Sequence, residues 1–156
     1  QKIIITRPIV ETGKGLGYLP GDLNAKIHPY MRPLIEELNI YLGRDVVKQM
    51  IYDEVIEIAP LPLLRGRNFH NAFVILDEAQ NADKKQLKMF LTRIGRETKM
   101  VITGDTDQYD LIGDCDLLEC FDRLGDIPSI GLSELGHEDI IRHPIIGPIL
   151  NALNGF

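Results

Sequence analysis

Apolar and polar stretches alternate along the chain and predict strands and helices in turn. Residues 2–6 form a β-branched apolar run, and residues 73–76 are continuously apolar, as buried strands of a parallel sheet are. The latter run ends in acidic residues, which is typical of a central strand that stops at a polar edge. The other predicted strands lie over residues 55–58, 99–103 and 129–135.

Helices are predicted between these strands. One runs from a cap at Asp22 to about residue 42, and Pro29 and Pro33 are expected to kink or divide it. Apolar residues at helical spacing predict a second helix over residues 87–94, which Gly95 ends. Further helices are predicted over residues 116–124 and after residue 138. This alternation predicts a three-layer α/β fold with a mostly parallel sheet.

Composition narrows the class of protein. The chain has 156 residues, 44% of them hydrophobic and 26% charged, which predicts a single globular domain over residues 1–156 with no membrane span. The net charge of −6 gives no support for nucleic-acid binding by bulk charge. Cys115 and Cys120 form no CxxC pair, so we expect free thiols and a cytoplasmic location. The chain lacks an initiator Met, and we expect residues upstream.

Two adjacent carboxylates, Asp77 and Glu78, follow the strand predicted over residues 73–76. A nucleoside triphosphatase needs one carboxylate to hold hydrated Mg²⁺ and another to orient or deprotonate the attacking water. Asp77 is the predicted Mg²⁺ residue, and Glu78 is the predicted water-directing residue. A solvated acidic loop is the alternative interpretation of the same string.

A second motif, Gly104-Asp105 with Gln108, follows the next predicted strand. It resembles the motif that senses the γ-phosphate in helicase-type ATPases. Glutamine suits this role because its amide donates to a phosphate oxygen and accepts from water. Taken alone, Gly-Asp is more often a turn. Since carboxyl ends of parallel strands share one edge of a sheet, both motifs are expected at one ligand site.

Arg65 and Arg67 flank a glycine shortly before the acidic motif. Paired guanidinium groups on a short turn suit phosphate binding, either in a nucleotide or in RNA. A structural salt bridge fits the same two residues equally well, so both interpretations stay open.

Several motifs in order resemble the PhoH (phosphate-starvation-inducible) ATPase family, and the resemblance covers nearly the whole chain. They are Ile5-Thr6-Arg7-Pro8, Gly15-Leu16-Gly17-Tyr18-Leu19-Pro20-Gly21-Asp22, Pro29-Tyr30-Met31-Arg32-Pro33-Leu34, Ala59-Pro60, Arg65-Gly66-Arg67, Leu76-Asp77-Glu78-Ala79-Gln80-Asn81, Met89-Phe90-Leu91-Thr92-Arg93-Ile94-Gly95, Gly104-Asp105 with Gln108, and Asp139-Ile140-Ile141-Arg142-His143-Pro144. The resemblance implies a RecA-like P-loop NTPase core similar to the first domain of superfamily-one helicases.

The same resemblance implies ligands and partners. ATP and Mg²⁺ are the implied cofactors, RNA or another single-stranded nucleic acid is the implied substrate, and the implied assembly is a homo-oligomeric ring. Gln80 joins the predicted nucleotide-binding residues, and Arg142 is a candidate arginine finger, acting in cis or across a ring interface. Arg7, Lys14 and Arg32 are candidate contacts to the backbone of single-stranded nucleic acid.

One departure from the family pattern concerns the phosphate-binding loop. A Walker A loop reads G-x-x-x-x-G-K-[ST], because its backbone N–H groups, lysine and hydroxyl serve the phosphates and Mg²⁺. The single candidate, Gly13-Lys14, has Pro8 in place of the first glycine and Gly15 in place of the hydroxyl residue. Three alternatives follow: a longer parent chain, a complementary N-terminal segment encoded separately, or a non-catalytic pseudo-ATPase.

Overall fold

A four-stranded, fully parallel sheet organises the chain. The computed structural model describes residues 1–9, 23–106, 108, 115–136, 139, 141 and 143–153. The strands are β1 (Lys2–Arg7), β2 (Ile56–Pro60), β3 (Ala72–Leu76) and β4 (Lys99–Ile102), in the spatial order β2-β1-β3-β4. The helices are α1 (Leu23–Leu42), α2 (Arg44–Tyr52), α3 (Lys84–Leu91), α4 (Asp116–Leu124) and α5 (Ile146–Leu153). The predicted α/β class with a mostly parallel sheet is confirmed.

One face of the sheet packs against α3. Ile4, Val74 and Leu76 lie level with one another or two residues apart in the register, so their side chains share a face. They form a buried cluster with Leu87 and Phe90 of α3. A capping box starts the helix, since the side chains of Asp83 and Gln86 each accept from the other residue's backbone N–H. This packing fixes where α3 begins, just after the end of β3.

Helices α1 and α2 pack together and against β2. Helix α1 continues through Pro29 and Pro33, so of the two predicted effects, a kink or a division, the division is wrong and the kink stays a prediction. Gly43 ends it as predicted, with a φ of 84° that favours glycine. The sequence interpretation missed α2, which begins at the very next residue and buries Val47.

Two other boundaries differ from prediction. Helix α3 ends at Leu91 rather than at Gly95, and the Arg93 N–H bonds at 3.0 Å to the Phe90 carbonyl, three residues back instead of four. Gly95 instead packs against the backbone before β3, where an added Cβ would lie 2.1 Å from the Phe69 carbonyl oxygen. Residues 129–135 form no strand among the described residues, and the prediction of one there is wrong. Pro128 immediately precedes this stretch, Gly131 lies within it, and Leu135 is exposed.

The chain divides into two compact units, Gln1–Arg123 and Leu124–Phe156. The first contains the sheet with α1 to α3 and nearly all of α4, whose predicted bounds are confirmed. The second contains α5, which begins at Ile146, later than the helix predicted after residue 138. Among the described residues, none of the helices combines the length and hydrophobicity that crossing a bilayer requires.

An ion-pair network ties β2 to the start of β1. Glu57 accepts from both Arg67 terminal nitrogens, one of them at 2.9 Å, and lies 2.7 Å from Lys2 Nζ. The hydrogen bonds from Arg67, and then those from Lys2, lower the Glu57 pKa from 4.5 to about 2 although burial opposes them. Because this carboxylate has a depressed folded-state pKa, its stabilisation is present above pH 4.5 and is lost as pH falls towards 2.

We expect Glu57→Gln to lower the free energy of unfolding at pH 7 by about 1–2 kcal/mol, after allowance for solvent screening. The loss should shrink as pH falls from 4.5 towards 2. Urea unfolding across this pH range measures it. Glu36→Gln is the matched control, since Glu36 pairs with Arg32 on the exposed surface of α1. Equal losses in the two variants at pH 7 would contradict the assignment.

Candidate active site

The carboxyl ends of three neighbouring strands meet at Asp77. Its backbone N–H donates to the Thr6 carbonyl at 2.9 Å, which continues the ladder between β1 and β3. Its Oδ2 accepts from Arg7 Nη2 at 2.5 Å and from Arg7 Nε at 3.2 Å. Its Oδ1 accepts from the Thr103 hydroxyl at 2.9 Å. The carboxylate is therefore held from both sides by residues at the ends of β1 and β4.

Glu78 has a strained backbone and an outward-facing carboxylate. Its φ and ψ are 55° and 39°, the left-handed region that non-glycine residues rarely adopt. Such conformations are concentrated at functional sites. The side chain is 42% exposed. Its Oε2 accepts from Gln80 Nε2 at 2.7 Å, and its Oε1 lies 3.9 Å from Arg7 Nη2. One carboxylate oxygen is thus held from inside the protein while the other faces a cation.

The turn that follows β4 packs directly beside these carboxylates. The Ala79 N–H donates to the Thr103 carbonyl at 2.9 Å, and the Thr103 N–H donates to the Leu76 carbonyl at 2.9 Å. A Cβ on Gly104 would lie 2.6 Å from Leu117 Cδ2 and 3.0 Å from Gln80 Oε1. The close approach requires glycine at this position, which a Gly-Asp string alone does not reveal.

Gln108 closes this turn. Its backbone N–H donates to the Asp105 carbonyl at 3.2 Å, and its side-chain Nε2 donates to Asp105 Oδ2 at 2.7 Å. The structure thus brings the second predicted motif to the same edge of the sheet as the first. The expected convergence of Asp77, Glu78 and Gln108 on one edge agrees with these contacts.

The residues present suit a hydrated Mg²⁺ ion. The Asp77 carboxylate and the Thr103 hydroxyl are oxygen ligands, which this ion prefers. Among the described residues, no three His, Cys, Asp or Glu side chains cluster as a metal cage. Mg²⁺ ordinarily binds through one or two carboxylates and keeps waters or substrate phosphates as its other ligands, so this sparse set fits the ion.

The structure separates the predicted arginines. Arg67 forms the ion pair with Glu57, which is the structural alternative that the sequence left open. Glu57 lies level with Val74 in the sheet, three residues before Asp77, so the Arg67 guanidinium is not directed to the carboxylate edge. Arg65 is exposed, and its predicted phosphate contact stays a prediction.

The other basic residues predicted to contact nucleic acid or phosphate differ in their surroundings. Arg32 pairs with Glu36 on α1, and Lys14 and Arg142 lie outside the described residues. Arg7 pairs with Asp77, and its predicted contact to nucleic acid stays a prediction. The sequence interpretation missed this pairing and the role of Thr103. The sequence offered one sign of these roles, because both residues lie at the ends of strands that flank β3.

The fold, the carboxylates at its edge and a family match together identify the class of protein to which the chain belongs. A parallel α/β sheet with a carboxylate pair at its carboxyl edge is typical of a RecA-like P-loop NTPase core. The family model for the PhoH-like protein matches residues 1–154. The chain therefore belongs to the PhoH-like protein family.

Curated relatives agree along almost the whole chain. It is 47% identical over 154 residues to a PhoH-like protein of Bacillus subtilis, covering 97% of this chain and 48% of that protein. It is 42% identical over 154 residues to a PhoH-like protein of Synechocystis sp., covering 97% of this chain and 47% of that protein. It is 40% identical over 156 residues to Protein PhoH of Escherichia coli, covering 97% of this chain and 44% of that protein. The chain spans about half the length of these relatives.

Proposed function

We propose that this chain supplies the metal-directing and water-directing part of an ATP-hydrolysing site. The observation that carries the proposal is the position of Asp77, which Arg7 and Thr103 hold at the meeting point of three strand ends. A carboxylate fixed in this way is preorganised, so it needs little rearrangement when charge develops in the reaction. The same edge of an open parallel sheet is where ligands bind.

Each residue has a distinct role in the proposed chemistry. Asp77 would hold Mg²⁺ through water beside the Thr103 hydroxyl, and the ion, when bound, would neutralise charge on the phosphates. Glu78 would orient the attacking water with the oxygen that Gln80 leaves free. Arg7 places its single positive charge beside both carboxylates, nearer to Asp77 than to Glu78. Gln108 would sense the γ-phosphate from the adjoining turn.

Under this proposal a segment other than residues 1–156 supplies the phosphate cradle, because no segment of the sequence fits the Walker A pattern. A longer parent chain or a partner segment would supply it. The lack of a Walker A pattern in this sequence also supports the alternative of a non-catalytic pseudo-ATPase. The predicted work on RNA and assembly into a ring remain proposals. We also propose a cytoplasmic location, since both cysteines are free.

Equilibrium binding of a fluorescent ATP analogue separates these alternatives. The purified chain is compared with a chimera in which it replaces the matching segment of the longer Bacillus subtilis relative. We expect Mg²⁺-dependent binding by the chimera and little binding by the chain alone. Tight binding by the chain alone would contradict the need for an external cradle. A folded chimera without binding would favour the pseudo-ATPase.

A further inference from the structure

Gln80 is a buried polar residue that the proposed mechanism does not yet explain. Its side chain has no exposed surface, and among the described residues only Thr6 and Gln80 are buried polar side chains. A buried amide costs free energy unless hydrogen bonds satisfy it. The partners of this amide therefore indicate what the residue is for.

Three hydrogen bonds join the Gln80 amide to two separate segments. Its Nε2 donates to Glu78 Oε2 at 2.7 Å and to the Gln108 carbonyl at 3.1 Å. Its Oε1 accepts from the Asp105 N–H at 3.1 Å. The partners fix the orientation of the amide, because a flip would place its oxygen against a carboxylate and a carbonyl. Only an amide of this length offers two donors and one acceptor in this arrangement.

The two joined segments carry the two motifs of the proposed site. Glu78 has few other constraints, since its side chain is 42% exposed and its nearest cation, on Arg7, is 3.9 Å away. Asp105 and Gln108 are bonded to each other through both backbone and side chain, so the two residues belong to one closed turn. A displacement of this turn must therefore stretch or break a bond to Gln80, and Gln80 holds the Glu78 carboxylate.

We infer that Gln80 is a positioning residue that couples the orientation of Glu78 to the conformation of the turn after β4. Gln80 acts through Glu78 and does not itself reach substrate, because it is fully buried. The purpose of this coupling rests on the proposed function. When Gln108 responds to a phosphate, the Gln80 amide changes the orientation of the water-directing Glu78 carboxylate. The physical content of the inference, a coupling between two segments, holds without any nucleotide.

Amide hydrogen exchange and NMR on the ligand-free chain test the coupling. Gln80→Met keeps similar volume and removes all three bonds, so the Asp105 amide is expected to exchange about 3- to 10-fold faster. Gln86→Met is the matched control, since the Gln86 side chain bonds to the Asp83 N–H and not to the turn. It should leave Asp105 exchange unchanged. If Gln80→Met only destabilised the fold, hydrogen exchange would instead accelerate at protected amides throughout the sheet.

A double-mutant cycle separates coupling from simple proximity. Glu78→Ala in the otherwise unchanged chain is expected to shift the Asp105 amide resonance and alter its exchange. In the Gln80→Met background the same substitution should have no further effect on Asp105. Equal effects in both backgrounds, or no effect in the unchanged chain, would overturn the inference.

Gln80→Glu provides a second variant in case Gln80→Met does not fold. It retains an acceptor for the Asp105 N–H but places a negative charge against Glu78. We expect the Glu78 side-chain signals and the exchange of the Asp105 amide to change together, and a change at only one of the two residues would overturn the inference. Because no measurement here uses ATP, coupling without ATP binding by the chimera would sustain the inference and remove only the proposed function.

Discussion

Replacing Glu78 by glutamine in the chimera is expected to slow ATP hydrolysis by about 10²- to 10⁴-fold, the contribution of a positioned general base. Glutamine keeps the length and shape of the side chain and can still accept from Gln80 Nε2. It cannot deprotonate or strongly orient a water molecule. Binding of the ATP analogue should stay unchanged, because Asp77 and its partners are untouched. Steady-state phosphate release and equilibrium binding measure the two effects separately.

The control for this prediction is Glu97→Gln. Glu97 has the same left-handed backbone conformation, with a φ of 53° against 55° for Glu78. It precedes β4, so it lies at the opposite edge of the sheet from the proposed site. We expect full activity from this variant. Comparable activity of the Glu78→Gln and Glu97→Gln chimeras would rule out the role proposed for Glu78.

Replacing Phe90 by alanine is expected to lower the free energy of unfolding by about 3–5 kcal/mol. Phe90 is completely buried in the cluster under the site, and its ring centroid lies 6.0 Å from that of Phe69 in a tilted arrangement. Its loss would leave a cavity between α3 and the sheet. Urea unfolding of the chain measures this loss. The slope of the unfolding free energy against urea concentration checks that the transition remains two-state.

Phe73→Ala is the matched control for that cavity, because it deletes the same atoms from a side chain that is 38% exposed. We expect a loss of about 1–2 kcal/mol there, in proportion to the smaller apolar area withdrawn from water. Equal losses at the two positions would mean that the α3 face is not the principal core of this unit.

The sequence was sufficient for features that depend on local pattern. The apolar run of β3 and the acidic pair after it predicted both a central strand and its polar edge. The helix over residues 116–124 was predicted with its observed bounds, since its apolar and charged positions alternate at helical spacing. The position of the two motifs at one edge followed from the prediction of a parallel sheet alone.

Features that depend on contacts distant in the sequence were not predictable. The pairing of Arg7 with Asp77 requires β1 to lie beside β3, and strand order is set by packing of the whole sheet. The burial of Gln80 depends on how closely the Gly104 turn approaches. The strand predicted over residues 129–135 does not form, because alternating apolar residues make a strand only beside a partner strand. None pairs with it among the described residues.

The most direct test of the central claim is Mg²⁺-dependent ATP binding by the chimera carrying Asp77→Asn. This substitution preserves shape and removes the charge that Arg7 and Thr103 hold in place. Asp45→Asn, on the first turn of α2, is the matched control. We expect Asp77→Asn to abolish the gain in affinity that Mg²⁺ gives and Asp45→Asn to retain it. An undiminished Mg²⁺ effect in the Asp77→Asn chimera would contradict the proposed metal-directing role of this edge.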